Sequence, residues 1–253
     1  MRVIGVYNLK GGVGKTSITV NLAFLAAEQG ARTLIWDLDV QGATTYYFRI
    51  KPKIKGGVSK LIRKKSQLDR WIRGTDFDNL DLLPADLSFR RMELQLDRVK
   101  KPVEVFRRRL KKFHEDYDYV FLDCPPGLSL VSLSLIRASG FLLVPIIPTT
   151  LSMRSLDLLY ESRVLQSKKP GRVMPLVSMM DRRRKLHREI QLELLTTHRG
   201  ALRTSIPNAS VVERMGQERC PLFVYAPRSR AAEAFRELWR EIQERISGKE
   251  SSN

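Results

Sequence analysis

The sequence predicts an α/β fold, a mainly parallel twisted sheet with helices on both faces. Short β-branched or apolar runs recur at RVIGVY (2–7), RTLIW (32–36), LDLLPA (80–85), YVFLD (119–123), FLLVPII (141–147) and RVMPLVS (172–178). Helical stretches separate them, and strands alternating with helices need crossover connections, which make the strands parallel and cover both sheet faces. A glycine-rich turn then joins the first run to a helix on which Ile18, Leu22, Leu25 and Ala26 share one face, with Gly30 at its end. That is the punctuation of a β-loop-α unit.

The 253 residues fit one large α/β domain, and no internal repeat or long Pro- or Ser-rich linker divides them. Residues 1–247 are therefore read as one domain and 248–253 as a disordered tail. Hydrophobic residues make up 43% and charged residues 28% of the chain, enough apolar surface for a sizeable core. The two cysteines, Cys124 and Cys220, exclude a disulfide scaffold and have no zinc spacing. The N-terminus passes from strand to glycine loop without a signal-peptide pattern, and no apolar run approaches the ~20 residues that span a bilayer. A reducing cytoplasm is the expected setting. The balance of 45 Lys+Arg against 27 Asp+Glu, a formal +18, points to a polyanionic partner, nucleic acid before membrane.

Residues 10–17 read KGGVGKTS, directly after a strand and at the start of a helix. Glycines are needed there because backbone N–H groups must curl around a phosphate with no Cβ in the way, and the helix N-terminus adds partial positive charge. Gly11, Gly12 and Gly14 meet that need, with Val13 between them and Ser17 behind. Lys15 is placed to reach the β- and γ-phosphates and Thr16 to ligand Mg²⁺. The strict pattern GxxxxGK[ST] would put its first glycine at Leu9, and a second lysine, Lys10, sits inside the loop instead.

NLKGGVGKTS resembles the deviant Walker A motif of the ParA/MinD ATPases, P-loop proteins in which the early lysine reaches the phosphates of the partner subunit in an ATP-bound sandwich dimer. The resemblance implies that role for Lys10. WDLDVQG (36–42) is similar to the family's switch segment, DxDPQG, whose second aspartate orients the attacking water; that residue is Asp39, and Val40 stands where proline is usual. YDYVFLDCPPG (117–127) resembles the Walker B strand, which implies Asp123 near the Mg²⁺. IPNASVVERMG (206–216) and the helix-like segment after it resemble the C-terminal portion of the short, chromosome-type (Soj-like) members, which implies Pro207 beside the adenine.

The resemblance implies a slow ATPase with ATP and Mg²⁺ as cofactors. ATP closes a homodimer, the dimer binds DNA without sequence preference, and a ParB-like or cargo adaptor protein stimulates hydrolysis as chromosome, plasmid or another cargo is positioned on the nucleoid. Operator-binding members carry an N-terminal helix-turn-helix, whereas the first strand here begins at Arg2, so site-specific repression is not expected. The DNA contact is expected at Arg182, Arg183, Arg184, Lys185 and Arg188, on the loop and helix start after the strand ending near Ser178. In chromosome-partitioning relatives an arginine of this loop contributes to DNA binding, and Arg183 matches it best; Arg214 is a second match.

The alternative is a MinD-like, membrane-associated regulator, because Phe235, Leu238, Trp239, Ile242 and Ile246 share one helical face. Interspersed glutamates and the polar GKESSN end favour docking on the sheet instead. Relatives with the same loop also include small-molecule ligases, iron–sulfur ATPases and tyrosine kinases, but the chain has neither cluster cysteines nor a tyrosine tail. His114, His187 and His198 have no metal or triad spacing. Two further basic runs, 49–65 and 98–112, read first as solvated surface, and a DNA contact there is left open.

Overall fold

In the computed structural model, the described residues are 1–248 without 53, 55, 63–67, 163–164 and 166–171. The tail expected at 248–253 thus lies outside them from 249 onward, as do parts of the basic run 49–65. Seven strands form one sheet: β1 (Arg2–Val6), β2 (Thr33–Asp37), β3 (Arg73–Gly74), β4 (Leu80–Leu83), β5 (Tyr119–Asp123), β6 (Phe141–Ile146) and β7 (Val173–Val177). Their order is β3-β4-β2-β5-β1-β6-β7, and every pairing except β3 with β4 is parallel. All six expected runs form strands. The two-residue β3 has no apolar alternation and left no signal in the sequence.

The longer connections are helical: α1 (Lys15–Glu28), α2 (Ala43–Tyr47), α3 (Gly57–Ile62), α4 (Met92–Asp97), α5 (Pro102–Lys112), α6 (Leu130–Ala138), α7 (Thr150–Glu161) and α8 (Lys185–Thr197). Three one-turn helices follow, α9 (Ser210–Glu213), α10 (Met215–Glu218) and α11 (Leu222–Tyr225), before the long α12 (Arg230–Ser247). Because side chains alternate along a strand, Leu34, Trp36, Val120, Leu122, Leu142 and Val144 enter one core, under α3 to α8. Ile35, Phe121 and Leu143 enter the other, under α1 and α12. Gly30 closes α1 as expected: at φ +84° it donates to Ala27 O (2.9 Å), while Ala31 N–H reaches Ala26 O (3.1 Å), a left-handed C-terminal cap that only glycine adopts cheaply.

The stripe on α12 belongs to the core. Phe235, Leu238, Trp239, Ile242 and Ile246 are all buried. The Trp239 ring meets Tyr119 at 5.2 Å and Phe121 at 6.0 Å, and its Nε1 donates to Gln29 Oε1 at 3.0 Å. Each such side chain is worth about 1.5–3 kcal/mol when buried, so the face is not free to enter a bilayer. No helix among the described residues is long and apolar enough to cross a membrane.

The parallel register aligns the strand ends that matter. Val6 pairs with Asp123, and Asp37 pairs with Asp123, so three C-terminal strand ends deliver the glycine loop and two carboxylates to one place. That crevice is where open α/β sheets bind ligands.

Candidate functional site

The loop between β1 and α1 is fixed from both ends. Asn8, buried just past β1, donates Nδ2 to Pro145 O (2.7 Å) and accepts the Lys10 N–H on Oδ1 (2.8 Å). Gly12 and Gly14 take left-handed φ of +71° and +87°, and Gly14 is the N-cap of α1. A Cβ on Gly14 would stand 2.8 Å from Ser178 Oγ, whereas one on Gly11 would meet nothing within 4 Å. Gly14→Ala is therefore expected to cost about 1–3 kcal/mol and to lower the thermal midpoint, while Gly11→Ala leaves it unchanged; thermal unfolding of the two variants checks the contrast.

Lys15 turns inward. It is 7% exposed and its Nζ donates to Lys10 O at 3.2 Å. Burial lowers its pKa, opposed by the nearby charges of Asp123 and Asp39. Lys10, on the same loop, is exposed, and its ammonium has no partner among the described residues. Val13 is buried beneath the loop, and Ser17 accepts Asn21 Nδ2 on its carbonyl at 2.8 Å.

Thr16 Oγ1 donates to Asp123 Oδ2 (2.9 Å), and Thr44 Oγ1 donates to the same oxygen (2.7 Å). Asp123 Oδ1 is buried and has no hydrogen-bond partner among the described residues. Asp37, also fully buried, accepts Thr45 N–H and Oγ1 on Oδ2 at 2.8 and 2.6 Å. Burial holds both carboxyls well above the ordinary carboxylate range; Asp123 pushes Asp37 further, while the Thr44 and Thr16 hydroxyls pull Asp123 back. A buried carboxylate oxygen left unpaired beside a threonine hydroxyl is an arrangement that a divalent cation completes. Asp39 stands at the rim, half-buried, with Oδ1 accepting Gln41 N–H at 3.0 Å. Asp37, Thr44, Thr45 and Asn8 went unassigned in the sequence; the doubled acid in DLD was the one visible sign of Asp37.

Beyond β7, Met180 and Pro207 form an isolated parallel bridge outside the sheet strands. Gly14, Ser17, Ser178, Met179, Pro207 and Asn208 line a narrow pocket against the phosphate loop. A second cavity, about 850 Å³, shares Pro207, Asn208 and Ala209 and extends to Asp181, Arg182 and Arg183.

Arg182, Arg183 and Arg184 are exposed on the loop, and Lys185 and Arg188 are exposed on the first turn of α8. These side chains are not all free. Arg183 places its guanidinium on both oxygens of Asp181, at 3.1 and 3.2 Å, Arg188 donates to Arg182 O at 2.6 Å, and Lys185 lies 3.6 Å from Glu189. The loop is pinned from inside by His187, whose Nδ1 accepts the Asp181 N–H at 3.0 Å. Arg214 is paired with Glu218 at 2.5 Å and stacked 5.5 Å from the Tyr225 ring centre.

Residues 1–169 match the family described as AAA domain. Over 248 residues the chain is 30% identical to the sporulation initiation inhibitor protein Soj of Bacillus subtilis, an alignment covering 95% of this chain and 98% of Soj. The chain belongs to the ParA/MinD family. It is also 28% identical to the chromosome partitioning protein ParA of Myxococcus xanthus, over 98% of this chain and 90% of that one. Among solved structures, a Mycobacterium smegmatis protein described as cobyrinic acid a,c-diamide synthase, with bound ADP and magnesium, superposes with a TM-score of 0.82 at 26% identity, covering 99% of this chain and 97% of that one. The cell division ATPase MinD of Pyrococcus furiosus shares the fold, with a TM-score of 0.78 at 21% identity over 96% of this chain and 98% of MinD. The P-loop fold of ParA/MinD proteins is thus the fold of this chain.

Proposed function

We propose that this chain is a ParA-type ATPase in which ATP and Mg²⁺ close a homodimer that binds DNA without sequence preference, and in which a ParB-like or cargo adaptor protein triggers hydrolysis. The carrying observation is the opposite orientation of two lysines on one loop. Lys15 points into its own site, on Lys10 O and near Asp123; Lys10 is exposed with its ammonium unengaged among the described residues. Lys10 is the residue free to reach across to a partner's phosphate.

In this reading residues 1–247 work as one unit. The backbone N–H groups of Gly11, Gly12, Val13 and Gly14 cradle the phosphates, with Thr16 and Ser17 opening α1 beneath them, and Pro207 borders the adenine. Thr16 and Asp123 hold the magnesium, which neutralises charge on the phosphate oxygens when bound. Asp39 orients water at the rim. Arg182, Arg183, Arg184, Lys185 and Arg188 meet phosphates of nucleoid DNA, with Arg214 at the margin. The formal +18 favours this polyanion reading over small-molecule ligation.

Light scattering with a slowly hydrolysed ATP analogue tests the switch. ATP, and not ADP, is expected to dimerise the protein, because the charge-assisted contacts of Lys10 need the γ-phosphate and the partner together. Lys10→Ala is expected to bind nucleotide within a few fold of wild type and to stay monomeric; a Lys10→Ala dimer would overturn the cross-subunit role.

A further inference from the structure

The basic run 98–112 does more than coat a helix. The buried side of α5 carries Val105, Phe106 and Leu110, and it packs over β2 through Trp36, whose ring lies 6.1 Å from Phe106 and 6.3 Å from Phe113. All the apolar side chains of the segment face inward or are partly covered; the exposed large hydrophobic residues include none from 98–112. What faces water is Arg98, Lys100, Lys101, Arg107, Arg108, Lys111 and Lys112.

The exposed acids Asp97, Glu115 and Asp116 flank the two ends of the segment, and Glu104 is the one acid within it. Glu104 is engaged with Arg107 at 2.9 Å, and Glu93 accepts the Leu130 N–H at 3.1 Å. Arg98, Lys100, Lys101, Arg108 and Lys111 have no carboxylate partner among the described residues. Behind the row the buried Arg109 donates Nε to Leu61 O at 2.9 Å, adding a further cation from inside the helix.

The face is separate from the α8 loop. Both lie on the same side of the sheet, since Phe106, Ile190 and Leu194 enter one core. However, β2 and β7 are four strand steps apart, roughly 19 Å at the usual ~4.8 Å spacing, with α6 and α7 between. As a crossover between parallel strands, α5 runs back across the sheet for about 16 Å, so its cations form a strip and not a point.

We propose that the outward face of α5 and the loop before it form a second binding surface for the phosphate backbone of duplex DNA, independent of the loop at 181–188. A protein interface needs an apolar or aromatic centre within its polar rim, and a membrane-surface helix needs an apolar face to insert; this strip has neither. A row of cations without either is suited to a polyelectrolyte that releases counterions on binding. The inference rests on the DNA-binding reading given above and extends it to a second footprint on each chain.

The test is fluorescence anisotropy of a short labelled duplex titrated with the ATP-loaded full chain at several salt concentrations, for wild type, Arg108→Glu with Lys111→Glu, Arg182→Ala with Arg184→Ala, and all four changes together. The α5 pair is expected to weaken binding roughly tenfold or more at low salt and to make the log affinity against log salt line shallower by about 0.9 per lost contact. Its effect should add to that of the loop pair, as effects of distant sites do. Unaltered nucleotide binding establishes that the variants are folded. Wild-type affinity and slope in the α5 pair, with binding lost in the loop pair, overturn the second surface and leave the DNA reading standing. Failure of the wild type to bind any duplex overturns both. A parallel arm with phosphatidylglycerol vesicles identifies a lipid surface: an α5 pair that loses vesicle binding and keeps duplex binding overturns the proposal.

Discussion

Lys15→Ala is expected to abolish useful nucleotide binding, weakening it by about 100-fold or more, since hydrogen bonds from a charged donor to phosphate are worth roughly 1.5–3 kcal/mol each and Lys15 would make several. The loss should not come from unfolding. In the protein without nucleotide Lys15 is buried with one carbonyl acceptor, Lys10 O at 3.2 Å, and burial already disfavours its charge. Removing it sheds a desolvated cation, so the thermal midpoint without nucleotide should stay close to that of wild type. ATP at 100 times the wild-type dissociation constant should add about 2.7 kcal/mol to the wild type by mass action and no more than about 0.4 kcal/mol to a variant weakened 100-fold. Thermal shift with and without MgATP measures both quantities, and a variant that is stabilised by MgATP like the wild type would remove Lys15 from the phosphate site.

Asp39→Ala is expected to bind ATP, dimerise and stall. Its carboxylate is at the rim, held by the Gln41 N–H at 3.0 Å, and it is not part of the buried pair Asp37 and Asp123. Its loss should therefore leave the cation site and the loop intact. Positioning the attacking water is most of what a protein contributes to phosphoryl transfer, so turnover should fall by about 100-fold while the ATP-bound dimer accumulates. Single-turnover phosphate release and light scattering on one sample check the two halves. Unchanged hydrolysis would assign the water to another residue. A variant that neither hydrolyses nor dimerises would point instead to a structural role for the 37–42 turn.

Much of this site was legible in the sequence because phosphate binding is a local problem. Backbone N–H groups of consecutive residues make the cradle, so glycines, lysine and threonine must be contiguous at a strand-to-helix turn, and KGGVGKTS is. The strands were legible for a similar reason, since both faces of a parallel sheet are buried and its strands read as short apolar runs. The apolar stripe on α12 was visible too, but the pattern serves a sheet as well as a bilayer, and Tyr119, Phe121 and Gln29, remote in sequence, decided for the sheet.

Only the tertiary structure brought Thr16 and Thr44 to one oxygen of Asp123, across 107 and 79 residues, and left the other oxygen unpaired among the described residues. It also sorted the cations. In sequence Arg183, Arg214 and Arg108 are equal charges, yet Asp181 occupies the first, Glu218 the second, and no carboxylate among the described residues meets the third. The sequence alone determined the α/β fold, the phosphate loop and the excess of positive charge, because these follow from the order and number of residues. Which charges face water unpaired and which carboxylate is starved of partners are set by Coulomb interactions and desolvation over a few ångströms, and those distances exist only once the strands have brought remote residues together.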